Sequence, residues 1–251
     1  MEGLRFLARS ETRPAVLQAL EEGATTRREL RERVDASRST VSRSLDRMVE
    51  FGWVLDGNGS YRLTPLGRHA AATFAEARES FETAARLAPL LGRVPAGAFD
   101  LSPADLADAE VTTATAMEPL APIERVTEIR ADSETVRELS SVVARNSAEQ
   151  VVARADAGDT DHELVLTADL VASLTDSSDY GDAFEATRDA VDVYVYDGEF
   201  PFLLTLLDDR VAFGVVSADD TPEALVESTD PEVYAWAEST YRDYREAADP
   251  L

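Results

Sequence analysis

The residue types best suited to chemistry in this chain lie close together, in the stretch SRSTVSRSLDRMVEFGWV from Ser37 to Val54. Ser37 has the chemistry of an N-cap, its hydroxyl able to accept from a free amide of a first helical turn. Val41, Leu45 and Met48 then fall at i, i+4 and i+7, one face of a helix. Ser39, Arg43 and Arg47 fall on the opposite face, with Thr40 and Ser42 on its flanks. Gly52 is the stop, because glycine takes the left-handed cap conformation at little cost. Arginine can bond a guanine edge bidentately, and serine or threonine can reach bases or phosphates. The chemistry offered is therefore reading of a DNA major groove. A polar helix face taken alone is more often only solvated, so the elements around it must decide.

Other reactive constellations are sparse. There is no cysteine and there are two histidines, His69 and His162, so no His/Cys spacing suits zinc. No glycine-rich phosphate loop follows a strand. The paired acids Asp208-Asp209 and Asp219-Asp220 read as solvated turn residues. A small-molecule effector site lined by His162, Tyr194, Tyr196, Phe200 and Phe202 is open, around the loop 197–201. The plainer reading of those rings is a turn plus core aromatics. No cofactor, no metal and no catalysis are expected.

The charge balance is extreme and uneven. Net charge is −25, and all 24 basic residues are arginine, with no lysine. Such a surface suits molar intracellular salt, where self-repulsion is screened over about 3 Å. With 44% apolar residues in periodic segments, disorder is not the reading. Residues 1–70 hold 12 arginines against 10 acids, and residues 71–251 hold 12 against 39. The segment spared the acidic bias is the one assigned to nucleic acid, whose binding begins at the phosphates. No apolar run reaches membrane-spanning length and no signal peptide is evident, which predicts a cytoplasmic protein with no membrane partner.

The neighbours of Ser37–Val54 must present it. Residues 11–23 read as a first helix with Val16, Leu17 and Leu20 inward. Thr26 caps a second, RRELRERV, with a Thr26–Glu29 capping box. Two short helices and a tight turn make a helix-turn-helix. After Gly52, the β runs 53–55 and 61–63 flank Asp56-Gly57-Asn58-Gly59, a hairpin signal, and Arg62 on it could touch phosphate or the minor groove. The ordered segment TTRRELRERVDASRSTVSRSLDRMVEFGWV…YRLTPLGRHAA resembles the winged helix-turn-helix domain of archaeal and bacterial transcription regulators, over about residues 8–75. The resemblance implies base contact by Arg38, Ser39, Thr40, Ser42, Arg43 and Arg47 on double-stranded DNA.

Pro65 opens a long helix expected to run to Leu91, with Leu66, Ala70, Phe74, Ala77, Phe81, Ala84, Ala88 and Leu91 near a heptad seam. A homodimer is the favoured use of that seam. The expected organisation is a DNA-binding domain over 1–64, a connecting helix over 65–91, a linker with a short helix (103–107) and a strand near Val111 over 92–122, and an α/β domain over 123–251. In that last part, helices are expected near 123–130, 148–157, 168–174, 180–188 and 231–247, and strands at 164–167, 191–196, 202–207 and 210–216.

The segments HELVLT, VDVYVYDGEFPFLLTLLDDRVAFGVV and WAESTYRDYREAA resemble the C-terminal domain of archaeal methanogenesis and filamentation regulators, a family common in halophilic archaea. Such domains imply effector sensing or dimerisation and look distantly like half of a phospholipase D-type fold. That likeness raises a hydrolase carrying a DNA-binding arm as an alternative. Its motif needs a His nucleophile with a lysine two residues on, but His162 is followed by Glu163 and Leu164 and the chain has no lysine. A protein-interaction adaptor is the remaining alternative. The reading reached is a mixed α/β (α+β) transcription regulator.

Overall fold

The computed structural model describes residues 2–158, 160–177, 179–217 and 221–251, and the Asp219-Asp220 pair lies outside them. The chain divides into two units, Met1–Glu82 and Thr83–Leu251. Among the described residues no helix is long and apolar enough to cross a membrane.

The first unit runs α1 (Glu2–Ala8), α2 (Thr12–Glu21), α3 (Arg27–Arg33), α4 (Arg38–Glu50), β1 (Val54–Asp56), β2 (Tyr61–Leu63) and most of α5 (Pro65–Arg86). Sequence reasoning did not anticipate α1, which adds Phe6 and Leu7 to the core of Val16, Leu17, Leu30, Val41, Leu45 and Met48. Local chemistry fixes the helix ends. Thr26 Oγ1 accepts from Glu29 N at 3.2 Å, and Glu29 Oε2 accepts from Thr26 N at 3.0 Å and Thr25 N at 2.9 Å. These amides, Thr25 first, hold the Glu29 carboxyl below its ordinary range. At the end of α4, Gly52 N donates to Val49 O and Trp53 N to Met48 O, both at 2.9 Å, with Gly52 at φ +71°. That is a Schellman closure, and a side chain at residue 52 would be strained. β1 and β2 pair antiparallel, Leu55 opposite Arg62, and Gly59 N donates to Asp56 Oδ1 at 2.9 Å across the tip. α5 passes so close to this hairpin that a Cβ on Gly67 would lie 2.1 Å from Trp53 O.

The long helix differs from expectation. α5 stops at Arg86, and a short α6 (Ala88–Leu91) restarts after Leu87. Pro89 explains the break, because it has no amide for the carbonyl of residue 85. The proposed seam is also partly occupied: Ala70 and Phe74 pack against the core of the first unit.

The second unit is an eight-stranded mixed sheet between two helical layers. Its strands are β3 (Glu110–Thr113), β4 (Thr135–Ser140), β5 (Asp161–Thr167), β6 (Asp192–Tyr196), β7 (Leu203–Leu207), β8 (Arg210–Val216), β9 (Pro222–Ser228) and β10 (Asp249–Pro250), in spatial order β10-β6-β5-β4-β7-β8-β9-β3. β4, β5 and β6 run parallel, and the remaining neighbours pair antiparallel. Helices α7 (Ala121–Ala131), α8 (Arg145–Ala157), α9 (Ala168–Thr175) and α10 (Gly181–Ala190) cover one face, through Ile129, Leu174 and Phe184. On the other face α6 and α11 (Pro231–Glu246) bury Leu87, Leu90, Val233, Ala237 and Tyr241 against Leu139, Val165, Leu204 and Phe213.

Strands β4, β9 and β10 were not anticipated. Nor do residues 92–122 behave as a linker. Leu106 and Ala109 are buried in the main core, Val94, Phe99 and Leu101 pack on it, and the helix expected at 103–107 is a run of turns. The prolines and glycines there shape turns over a packed surface.

Candidate nucleic-acid interface

Helix α4 has two sides that follow from its spacing. Val41, Leu45 and Met48 are fully buried, and Ser44 turns its hydroxyl back to Thr40 O at 2.9 Å. Arg38, Ser39 and Arg43 are exposed, and Thr40, Ser42 and Arg47 are half-buried. Ser37 Oγ accepts from Thr40 N at 3.2 Å and lies 2.9 Å from both Ser39 Oγ and Thr40 Oγ1. The N-terminal turn is thus a cluster of three hydroxyls above free amides, a ready anion-binding end. Arg43 Nε donates to Ser39 O at 3.2 Å, which lays the side chain along the helix. Among the described residues no acid pairs with Arg38, Arg43 or Arg62. Arg62 stands exposed on β2.

Arg47 is different. Its guanidinium pairs with Glu50 and with Glu2 of α1, and lies 4.6 Å from the centre of the Phe51 ring. The Glu50 hydrogen bond is the chief cause that raises its pKa. Helical spacing put Arg47 with Arg43; the structure ties it to two carboxylates at the far end of the helix.

In the second unit the expected effector lining is not one site. His162 shares a sheet face with its neighbour Val136, towards α7, whereas Tyr194 neighbours Val165 on the face covered by α11. Tyr196 stacks on Phe200 at 5.4 Å, with the Tyr244 ring edge-on to both. Tyr194 lies under the Arg245 guanidinium at 3.1 Å. Phe202 is buried among Phe99, Phe213 and Trp236. These rings are packed against one another and against α11.

What spacing did not reveal is a buried polar cluster around Glu138. Arg130 Nη2 donates to Glu138 Oε1 at 2.6 Å, Thr205 Oγ1 donates to the same oxygen at 3.0 Å, and His162 Nε2 lies 3.0 Å from Oε2. Arg130 Nη1 donates to Ser147 Oγ at 2.5 Å. Arg130, Glu138 and His162 are 5%, 6% and 4% exposed. Burial pushes the Glu138 carboxyl up, but the Arg130 charge and the His162 hydrogen bond outweigh it and hold the group well below the usual carboxylate range. The one available signal was an acid at the place in Thr135–Ser140 that shares a face with Val136.

Residues 119–247 match the model of a family described as methanogenesis regulatory protein FilR1, middle domain. That span is more than half of the chain. The protein belongs to the FilR1 middle-domain family. Residues 1–86 match a second model, described as the HVO_A0261 N-terminal domain. No curated protein matches the chain. Among solved structures, TrmBL2, described as an archaeal chromatin protein with a novel mode of DNA binding, is 14% identical with a TM-score of 0.45, covering 100% of this chain and 99% of its own. Nuc of Salmonella typhimurium, a phospholipase D family member, is 15% identical with a TM-score of 0.45 and covers 57% of this chain and 98% of its own. NucT from Helicobacter pylori is 15% identical with a TM-score of 0.43, over the same 57% of this chain and 98% of its own. At such scores nothing about activity follows. The FilR1 segment spans helices α7 to α11 and strands β4 to β9, so the buried Glu138 cluster lies inside it.

Proposed function

We propose that this protein is a DNA-binding transcription regulator of haloarchaeal type. Its first unit acts as a winged helix-turn-helix, and its FilR1 segment senses an effector or strengthens a dimer. The observation that carries the reading is the outer face of α4: Arg38, Ser39 and Arg43 exposed, with no acid among the described residues paired to either arginine, above a fully buried apolar face. In a chain that carries 49 acids, an exposed guanidinium with no carboxylate beside it is available for phosphate and base edges. Arg62 on the hairpin serves as the wing contact to the backbone. Thr40 and Ser42 flank the reading face, and Arg47 contributes after release from Glu2 and Glu50.

A homodimer fits the same reading. Phe81 is 77% exposed and Leu66 54% exposed on α5, and a second copy would cover them while placing two reading helices one DNA turn apart. A mobility-shift assay in molar KCl, on DNA selected by the wild-type protein, tests the core of the proposal. The Arg38→Ala, Arg43→Ala double variant should lose sequence-selective binding while folding normally. Selective binding kept at wild-type strength would sink it.

A further inference from the structure

The face of the sheet covered by α7 to α10 holds a hollow that neither family description accounts for. It has a volume of about 130 Å³, and its wall includes Ile123, Val126, Val142, Leu203 and Leu225 with Arg130, Glu138, Ser147 and Thr205 as polar members. A second hollow of about 80 Å³ shares Arg130, Glu138, Ser140, Val142, Ala144 and Ser147 with it. The Arg130–Glu138 pair therefore stands where the two meet. A cavity of about 150 Å³ admits a molecule the size of benzene, so the larger hollow sets the scale of an occupant.

Arg130 brings the polar requirement. Its Nε is buried and has no hydrogen-bond acceptor among the described residues, while each terminal nitrogen makes a hydrogen bond. A buried N–H without an acceptor is costly, and more so on a charged group. An oxygen on an occupant would remove that cost. Charge decides which oxygen. Glu138 already neutralises Arg130, so a carboxylate or phosphate would carry an uncompensated charge into a mostly apolar space.

We propose that this hollow is a binding site for a small uncharged molecule, largely apolar, with one carbonyl or ether oxygen directed to Arg130 Nε. Ser147, whose hydroxyl hydrogen is free once its oxygen has accepted from Arg130, offers a second donor to the same oxygen. The site lies within the FilR1 segment and stands apart from the DNA reading, since occupancy is measured without DNA.

The test uses the full-length protein in molar KCl with methyl-labelled Ile, Leu and Val. Cyclohexanone, cyclohexanecarboxylate and benzene serve as probes. Cyclohexanone should give saturable shifts at the Ile123, Val126 and Val142 methyls, and should bind about tenfold more tightly than the carboxylate. Ala144→Phe, which fills the shared wall at a half-buried position, should abolish those shifts. The Arg130→Met, Glu138→Met double variant removes the donor and the charge together, and should bind cyclohexanone no better than benzene. If the double variant does not fold, Ala144→Phe alone decides. Absence of saturable shifts, shifts that survive Ala144→Phe, or tighter binding of the carboxylate would each overturn the proposal.

Discussion

The two units use the same cation for opposite ends. The chain has no lysine, so arginine must do everything a positive charge does. In the first unit Arg38, Arg43 and Arg62 are exposed and pair with no acid among the described residues. In the second unit arginine is a structural fastener. Arg125 and Arg210 clamp the buried Glu227 at 2.7 Å and 2.9 Å, Arg245 holds Glu163 at 2.9 Å, and Arg130 holds Glu138. The difference lies in how many carboxylates surround each arginine and how much water reaches it. A planar guanidinium bonded to a buried carboxylate is committed to the fold; one with no carboxylate beside it is available to a partner.

The sharpest way to break this contrast is to remove a fastener. Arg130→Met should cost about 3–5 kcal/mol, because it strands Glu138 without its cation. Urea unfolding in molar KCl measures it, and a loss below about 1 kcal/mol would mean that the buried pair is not a fastener.

Acid attacks the same place by a different route. The folded Glu138 carboxyl titrates below its ordinary value of 4.5, with Arg130, His162 and Thr205 facing it. A depressed carboxylate contributes stability that is complete above the ordinary value and is lost as the pH falls through the folded one. The melting temperature of the wild type should therefore fall progressively below about pH 4.5. Glu138→Gln should begin less stable and show a shallower fall over that range.

The first unit should respond in the reverse manner. Arg43→Ala should weaken selective DNA binding by about 1–3 kcal/mol and change stability by less than about 0.5 kcal/mol. Arg47→Ala sharpens the point. Its guanidinium is shared with Glu2 and Glu50, so it should cost less affinity than Arg43→Ala in the same mobility-shift titration. Thr26→Ala, which removes the capping box before α3, should cost about 1 kcal/mol, read from the thermal midpoint.

Local grammar was legible in the sequence. The Thr26 box, the Ser37 cap, the Gly52 closure and the Asp56–Gly59 turn depend on residues within about four positions of each other, and all are present. The hidden features are those decided at long range. β4 was missed because Arg137 and Glu138 interrupt its apolar pattern, yet one meets Glu238 on α11 and the other meets Arg130 on α7. Residues 92–122 looked slack because proline and glycine set their composition, while Leu106 and Phe99 set their burial. The spread of aromatic residues between the two sheet faces follows strand parity, and so His162 parted from Tyr194 once the register of β5 against β6 was fixed.

The strand order carries a consequence for how the chain is made. β3, at residues 110–113, pairs with β9, at 222–228, and β10, at 249–250, closes the other edge against β6. Neither border of the sheet can form until β9 and β10 have left the ribosome. The first unit draws its contacts from residues 1–82 and can reach its native form earlier. A newborn chain of this protein therefore carries a complete first unit while the sheet of the second still awaits its borders.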